Sequence, residues 1–439
     1  MGDKRTMDPF VIGIIGLVAC LLLMAFSVPI AVATGVVGFI GYFILFGIDG
    51  IMLAASSLPF YNTASFDWCV VPMFTLVGLL LFNCGLGDKM FTALNNWLGW
   101  IPGGLAMSVS LASAALGTID ASGIGTAVIM GKVAYPEMTK QNYSKSLSFA
   151  TIATGGTLGI IIPPSVILSI YAVLAEVSVG ECLIAGIIPG IVLSVLFCLM
   201  IFVRVKINPS LAPGRVHSSW KEKIFGLRYV LPILIMFIII CGGIYLGIFT
   251  ATEAGGVAAV VAIILCLVTK RLTWKIFVDC MRETVRLSAM ILAFMAGISI
   301  FTKFLNITGI TLAFANWATS FSVPIVTILL MIAVYYLFGM FIGATGMLMI
   351  TVPIFAPVVE ALGYSPIWFG VLATIMCAVA LISPPVAAGV FIAHGAIKAD
   401  IPLATAYKSI LPFWLVETSF IVLLLLFPQM ATWLPSLMM

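Results

Sequence analysis

The chain has 439 residues and a formal net charge of +4. Hydrophobic residues make up 63% of it and charged residues 8%, against about 45–50% and about 25% in soluble domains. So few charges cannot wet the surface of a soluble protein of this size, so lipid surrounds most of it; a soluble enzyme, a nucleic-acid-binding domain and a disordered chain are excluded.

Lys4 and Arg5 precede an apolar run over residues 9–26, and no small-residue cleavage site follows. This reads as an uncleaved helix rather than a signal peptide. Apolar residues run continuously, as over 187–202 and 233–240, where a membrane barrel would alternate. A spanning helix needs about 20 apolar residues. The sequence predicts such helices near 9–27, 28–47, 184–203, 229–248, 252–269 and 410–428, with a shorter one at 287–302. Residues 50–68 are too weakly apolar to assign. The nine Cys form no CxxC pair and sit mostly in apolar runs, so they read as small buried hydrophobes.

Four further stretches are apolar but interrupted. The first, 102–136, is broken over residues 118–126. The second, 147–177, is broken at Gly155-Gly156-Thr157 and again at Pro163-Pro164-Ser165. The third, 323–356, is broken at Gly343-Ala344-Thr345-Gly346, and the fourth, 366–397, at Ser383-Pro384-Pro385. The order is hairpin, broken helix, hairpin, broken helix. The two pairs align at a constant offset of 221 residues, which places Pro163-Pro164 on Pro384-Pro385, Pro136 on Pro357, Tyr143-Ser144 on Tyr364-Ser365 and Gly125 on Gly346.

Lys and Arg concentrate in cytoplasmic loops. The linker inside the first pair carries Lys132, Lys140 and Lys145, and the matching linker 353–366 carries no Lys or Arg. Beyond the broken helix the bias reverses, with Glu176 and Glu181 in the first copy and Lys398 and Lys408 in the second. The copies are therefore expected to cross the membrane in opposite directions. Threading on from residue 132 places the basic loops 204–228 and 270–286 on the same, cytoplasmic side.

An inverted repeat of re-entrant hairpins and broken helices is the architecture of a secondary transporter. Irregular backbone at membrane depth costs several kcal/mol for each unsatisfied group, so it lines a cavity or binds something. Half-helix N-termini attract anions, while unwound carbonyls and hydroxyls suit Na⁺. The candidate Na⁺ residues are Ser122, Gly123, Thr126, Gly155, Gly156 and Thr157, mirrored by Gly343, Thr345, Gly346, Ser383, Pro384 and Pro385. The candidate substrate residues are Thr118, Asp120, Pro163, Pro164, Ser165 and Thr351. The competing reading is that these small residues let helices pack closely, and that Asp120 caps a half-helix. Glu253 reads equally well as a helix start, and Lys303 and Glu417 as snorkelling side chains. His217 and His394 have no ligand spacing, and no protease, lipase or ATPase motif is present.

At these positions the sequence resembles the large membrane subunit of tripartite ATP-independent periplasmic (TRAP) transporters, the DctM-like family. The matching stretches are Pro72-Met73-Phe74 with Gly78, Ser122-Gly123, Pro136-Glu137-Met138, Gly155-Gly156-Thr157-Leu158-Gly159 running into Ile162-Pro163-Pro164-Ser165, Thr252-Glu253-Ala254, Gly339-Met340-Phe341, and Phe369-Gly370 before Pro384-Pro385. The resemblance implies an all-α polytopic protein of the bacterial inner membrane and an elevator-type Na⁺ symporter for a small organic anion such as a C4-dicarboxylate or a sialic acid. It also implies a small four-helix membrane subunit and a periplasmic substrate-binding protein as partners, with no cofactor beyond Na⁺ as the coupling ion. The expected organisation is N-terminal scaffold helices over 1–90, a first transport repeat over 91–183, scaffold and arm helices over 184–322, a second repeat over 323–408 and a C-terminal helix over 409–439. The chain departs from the family pattern at Asp120, Gly343, Ala380, Ser383 and Ala387. The alternatives are a stand-alone Na⁺- or proton-coupled anion symporter, and a channel or non-transporting subunit.

The threading is tested by reporter fusions. Fusions after residues 221 and 273 should report the cytoplasm, and those after 178 and 249 the periplasm. The opposite pattern at any of the four would overturn this threading.

Overall fold

The computed structural model describes residues 7–26, 28–85, 88–117, 124–214, 218–320, 323–339, 342–384, 387–397 and 401–438. With no water to satisfy an exposed backbone, apolar runs of this length close their hydrogen bonds as helices, and the described residues hold no strand. Among the described residues seven helices are long and apolar enough to cross a membrane, or up to nine if two bent pairs each form one span.

The chain opens with α1 (Pro9–Ala25), capped by Asp8, whose carboxylate accepts from the Phe10 amide at 3.0 Å, and α2 (Ile30–Thr63). Gly47 (φ +68°) interrupts α2 where the expected 28–47 helix ends, and helix resumes through the stretch that the sequence left unassigned. Next come α3 (Val70–Asn83) and α4 (Asp88–Leu98). A first set of four follows: α5 (Gly104–Gly117), α6 (Ile124–Lys140), α7 (Lys145–Ile161) and α8 (Val166–Leu174). The middle of the chain forms α9 (Val179–Ala185), α10 (Ile187–Ile207), α11 (Trp220–Gly226), α12 (Leu231–Phe237), α13 (Gly243–Tyr245), α14 (Ala251–Val268), α15 (Trp274–Ile307) and α16 (Ile310–Thr319). A second set of four is α17 (Pro324–Gly339), α18 (Ala344–Ala361), α19 (Pro366–Ile382) and α20 (Ala388–Ile397); α21 (Leu403–Leu426) and α22 (Gln429–Thr432) end the chain.

The two sets match in length as well as in sequence. Adding 221 to the bounds of α7 gives 366 and 382, the bounds of α19. The same shift brings α5 and α6 within one residue of α17 and α18, and α8 within two of α20. Their packing exchanges in the same way. The second half of each broken helix lies on the other set's hairpin, α8 on α18 and α20 on α6, while α7 meets α19 at the centre. Every residue from Leu147 to Ile161 in α7 is buried. A helix enclosed on all sides has no polar face, which is why α7, beyond the exposed Lys145 at its start, and α19 carry no charged residue.

Two expectations are corrected. The segment 270–286 is mostly helix rather than loop, because α15 starts at Trp274, capped by Thr273. At about 1.5 Å per residue its 34 residues span roughly 50 Å, more than a bilayer core of about 30 Å. The turns carrying Lys275, Arg282 and Arg286 therefore extend past the apolar layer. Second, α7 runs unbroken through Gly155, Gly156 and Thr157; its one interruption is at 162–165, where α7 and α8 bend by 43°. A Cβ on Gly155 would lie 2.5 Å from the Ser113 side chain, and one on Gly117 would lie 2.7 Å from the Gly159 Cα. At Gly155 close helix packing is therefore what the small residue provides.

The same device joins α2 to α15. A Cβ on Gly297 would lie 2.3 Å from the Ala31 carbonyl oxygen, which is backbone and cannot swing away. Gly297→Ala should therefore destabilise by about 1–3 kcal/mol, read as a lowered thermal midpoint of the purified protein. Gly256→Ala in α14 meets nothing within 4 Å and should be neutral or gain up to about 1 kcal/mol. Equal effects at the two sites would contradict the packing described.

Candidate functional site

A cavity of about 600 Å³ lies where the two sets face α2, α3 and α15. Three helices begin at its wall. Gly125 lies in the first turn of α6, Val166 and Ile167 open α8, and Gly343 to Gly346 open α18. The Ser165 side chain caps α8, accepting from the Leu168 amide at 3.2 Å. Gly343 has no side chain to cap α18, whose first turn bond runs from the Met347 amide to the Gly343 carbonyl at 3.0 Å. The opening amides of a helix lie outside its own ladder and carry partial positive charge. The opposite wall is apolar (Leu79, Phe82, Met290, Phe294) apart from Thr75 and Glu283, the one charged side chain among the described lining residues. Among the described residues no group of three or more His, Cys, Asp or Glu is placed to hold a metal ion.

The structure gathers Gly343, Thr345 and Gly346 at this cavity, with Thr126 buried beside Gly125. Thr118, Asp120, Ser122, Gly123 and Pro385 lie outside the described residues. Pro163 and Pro164, joined by a cis peptide bond, face a different space, an apolar cavity of about 340 Å³ between α3, α5, α10 and α12. Its walls are apolar apart from Ser194, whose hydroxyl donates to the Gly190 carbonyl, so nothing there supports a substrate role for these two prolines. Both faces of the Ser165 hydroxyl are used within the break, since it donates to the Ile160 carbonyl and accepts from Leu168. Thr351 lies inside the second hairpin, its hydroxyl 2.8 Å from the Tyr335 hydroxyl and 2.8 Å from the Met347 carbonyl oxygen, and it does not line the cavity.

Thr157 and Ser383 meet α21 instead. Thr157 is bonded to the Glu417 carboxyl, and its hydroxyl lies 2.7 Å from the Thr154 carbonyl oxygen. Ser383 donates to the Val379 carbonyl at 2.9 Å and accepts from the Trp414 indole at 2.8 Å. Glu417 is fully buried, so the snorkelling reading is corrected. Its position was the available signal. It stands near the middle of a 24-residue apolar helix, where no carboxylate can reach the interface.

The family described as the tripartite ATP-independent periplasmic transporter, DctM component, matches residues 17–430. The C4-dicarboxylate TRAP transporter large permease protein DctM of Pseudomonas aeruginosa is 30% identical over 395 residues, covering 90% of this chain and 91% of that protein. The ectoine TRAP transporter large permease protein TeaC of Halomonas elongata is 29% identical over 419 residues, covering 95% and 97%. Among solved structures, the Alcanivorax borkumensis YdaH transporter superposes with a TM-score of 0.65 at 17% identity, covering 96% of this chain and 98% of that one, which shows a shared fold. This chain belongs to the DctM family: it is a multi-pass subunit of the bacterial inner membrane that serves secondary transport of organic acids, and it is not an enzyme.

Proposed function

We propose that this subunit imports a small carboxylate-bearing solute in symport with Na⁺. It works as the large permease beside a small four-helix membrane subunit and a periplasmic substrate-binding protein. The observation that carries this reading is the cavity of about 600 Å³ on which α6, α8 and α18 all open. Helix N-termini bind carboxylate through amides and dipole. They also do so without a Lys or Arg, and none lines this cavity among the described residues. Held by partial charges alone, the solute gains from a cation bound nearby and leaves more readily once that cation is gone. The P. aeruginosa relative is named for C4-dicarboxylates and the H. elongata relative for ectoine, both carboxylate-bearing solutes.

The Na⁺ would be held at the two interruptions. Ser122, Gly123 and Thr126 serve the first; Gly343, Thr345, Gly346, Ser383, Pro384 and Pro385 serve the second. A cavity between the repeated sets and α2, α3 and α15 fits an elevator, in which the sets move as one body against a fixed wall. The apolar side chains of that wall offer no bond that must break as the body slides.

Uptake is measured in liposomes holding both membrane subunits, with the binding protein outside. Abolishing the Na⁺ gradient while keeping a proton gradient should stop uptake, and unchanged uptake would rule out Na⁺ coupling. Ser122→Ala and Pro384→Ala should raise the Na⁺ requirement; wild-type rates with normal Na⁺ dependence would return these residues to a packing role. A Cβ on Gly343 meets nothing within 4 Å, so Gly343→Phe should fold with an unchanged thermal midpoint. Its ring would occupy the cavity and should cut uptake at least about tenfold, because bound solute and ring compete for one volume. Full activity in that variant would place the solute elsewhere.

A further inference from the structure

We infer that Glu417 and Trp414 are positioning residues, through which α21 holds the two helix breaks at one mutual spacing and so sets the geometry of the cation site. The inference rests on the Na⁺-coupled reading above. Its basis is a polar seam inside an otherwise apolar bundle. Residues 414, 417 and 418 share one face of α21 at the three- and four-residue spacing of a helix. Trp414 donates to Ser383, the residue that ends α19. Glu417 bonds Thr157, one turn before the end of α7. The Thr418 hydroxyl lies 2.9 Å from the Tyr336 hydroxyl of α17. One helix thus touches the first set through α7 and the second through α17 and α19.

The seam is expensive for a membrane protein. Glu417 is 0% exposed, and its Oε2 has no hydrogen-bond partner. Among the described residues no cation faces it. The only charge on α7 is Lys145 at its far end; α10 meets α21 where Phe197 packs on Phe413, and its Arg204 and Lys206 come two turns later. His394 of α20 is bonded to the Ile401 carbonyl at 2.9 Å, and α19 carries no charged residue. A leucine at position 417 would pack without these polar demands. What the carboxyl adds is direction: it fixes the rotation and height of α7 against α21 at Thr157, while Trp414 does the same for α19. The carbonyls that end α7 and α19 then keep a constant separation, as an ion coordinated between breaks requires.

The test uses the assembled transporter in liposomes, with uptake measured against Na⁺ concentration and the thermal midpoint followed in parallel. Glu417→Gln keeps an oxygen for Thr157 and should stay within about twofold of wild type in half-saturating Na⁺. Glu417→Leu should raise that concentration about tenfold, roughly the loss of one buried bond to a charged-type group. Thr157→Val combined with Glu417→Leu should be no worse than the more damaging single change, because both remove the same contact. A lowered midpoint in Glu417→Leu with unchanged half-saturation would overturn the inference, leaving a stability role alone. Equal damage from Gln and Leu would also overturn it, since charge rather than the placed oxygen would then be what matters. Should Glu417→Leu fail to fold, Trp414→Phe removes only the Ser383 bond and should raise half-saturating Na⁺ severalfold; no change there would contradict the clamp. If wild-type uptake shows no Na⁺ dependence, the Na⁺ reading falls by itself. The variants are then compared on half-saturating solute, where a shift with Leu and not with Gln supports the clamp and its absence rejects it.

Discussion

Hydrocarbon offers no hydrogen-bond partner to a broken helix. Every place where this chain leaves helical geometry inside the membrane must therefore be enclosed by protein and given its own bonds. The break after α7 shows how this is met. Ser165 closes the Ile160 carbonyl on one side and the Leu168 amide on the other. After α19, Ser383 closes the Val379 carbonyl and takes the Trp414 indole. Enclosure follows from the pseudo-symmetric packing, in which the first half of each broken helix lies on its own set's hairpin and the second half on the other set's. The opening turns of α8 and α18 face one cavity.

Close packing makes that enclosure possible. In lipid, helices gain little by hiding apolar surface from one another and associate through contact, so backbones must come near. Gly117 and Gly155 let α5 lie against α7, and Gly370 makes room for the Tyr171 ring, whose hydroxyl donates to the Pro366 carbonyl at 2.6 Å. The two sets are thus packed most closely where they are most buried. The wall formed by α2, α3 and α15 carries mostly large apolar side chains at the cavity.

The Pro-Pro breaks were legible in the sequence because proline cannot continue a helix, and the offset that superposes them also superposes the helix bounds to within two residues. The Gly155-Gly156-Thr157 segment misled because glycine within a helix costs only about 1 kcal/mol, which contact with Ser113 and its neighbours offsets. The basic residues ahead of residue 287 hid the start of α15, since a window rich in charge does not resemble a span even when its backbone is helical. Thr351 and Pro163-Pro164 do not line the cavity of α8 and α18, because which face of a helix meets which neighbour depends on partners distant in sequence. The burial of Glu417 was marked by its place in the middle of an apolar helix, but its partner Thr157, 260 residues away, was not.

The central claim is that a carboxylate is held by the opening turns of α8 and α18. The most direct measurement is a structure of the assembled transporter with Na⁺ and a transported solute bound. The account predicts solute density in the cavity, with a carboxylate within hydrogen-bond distance of the Thr345 or Gly346 amides. Density at another site, with this cavity empty under saturating solute, would contradict it.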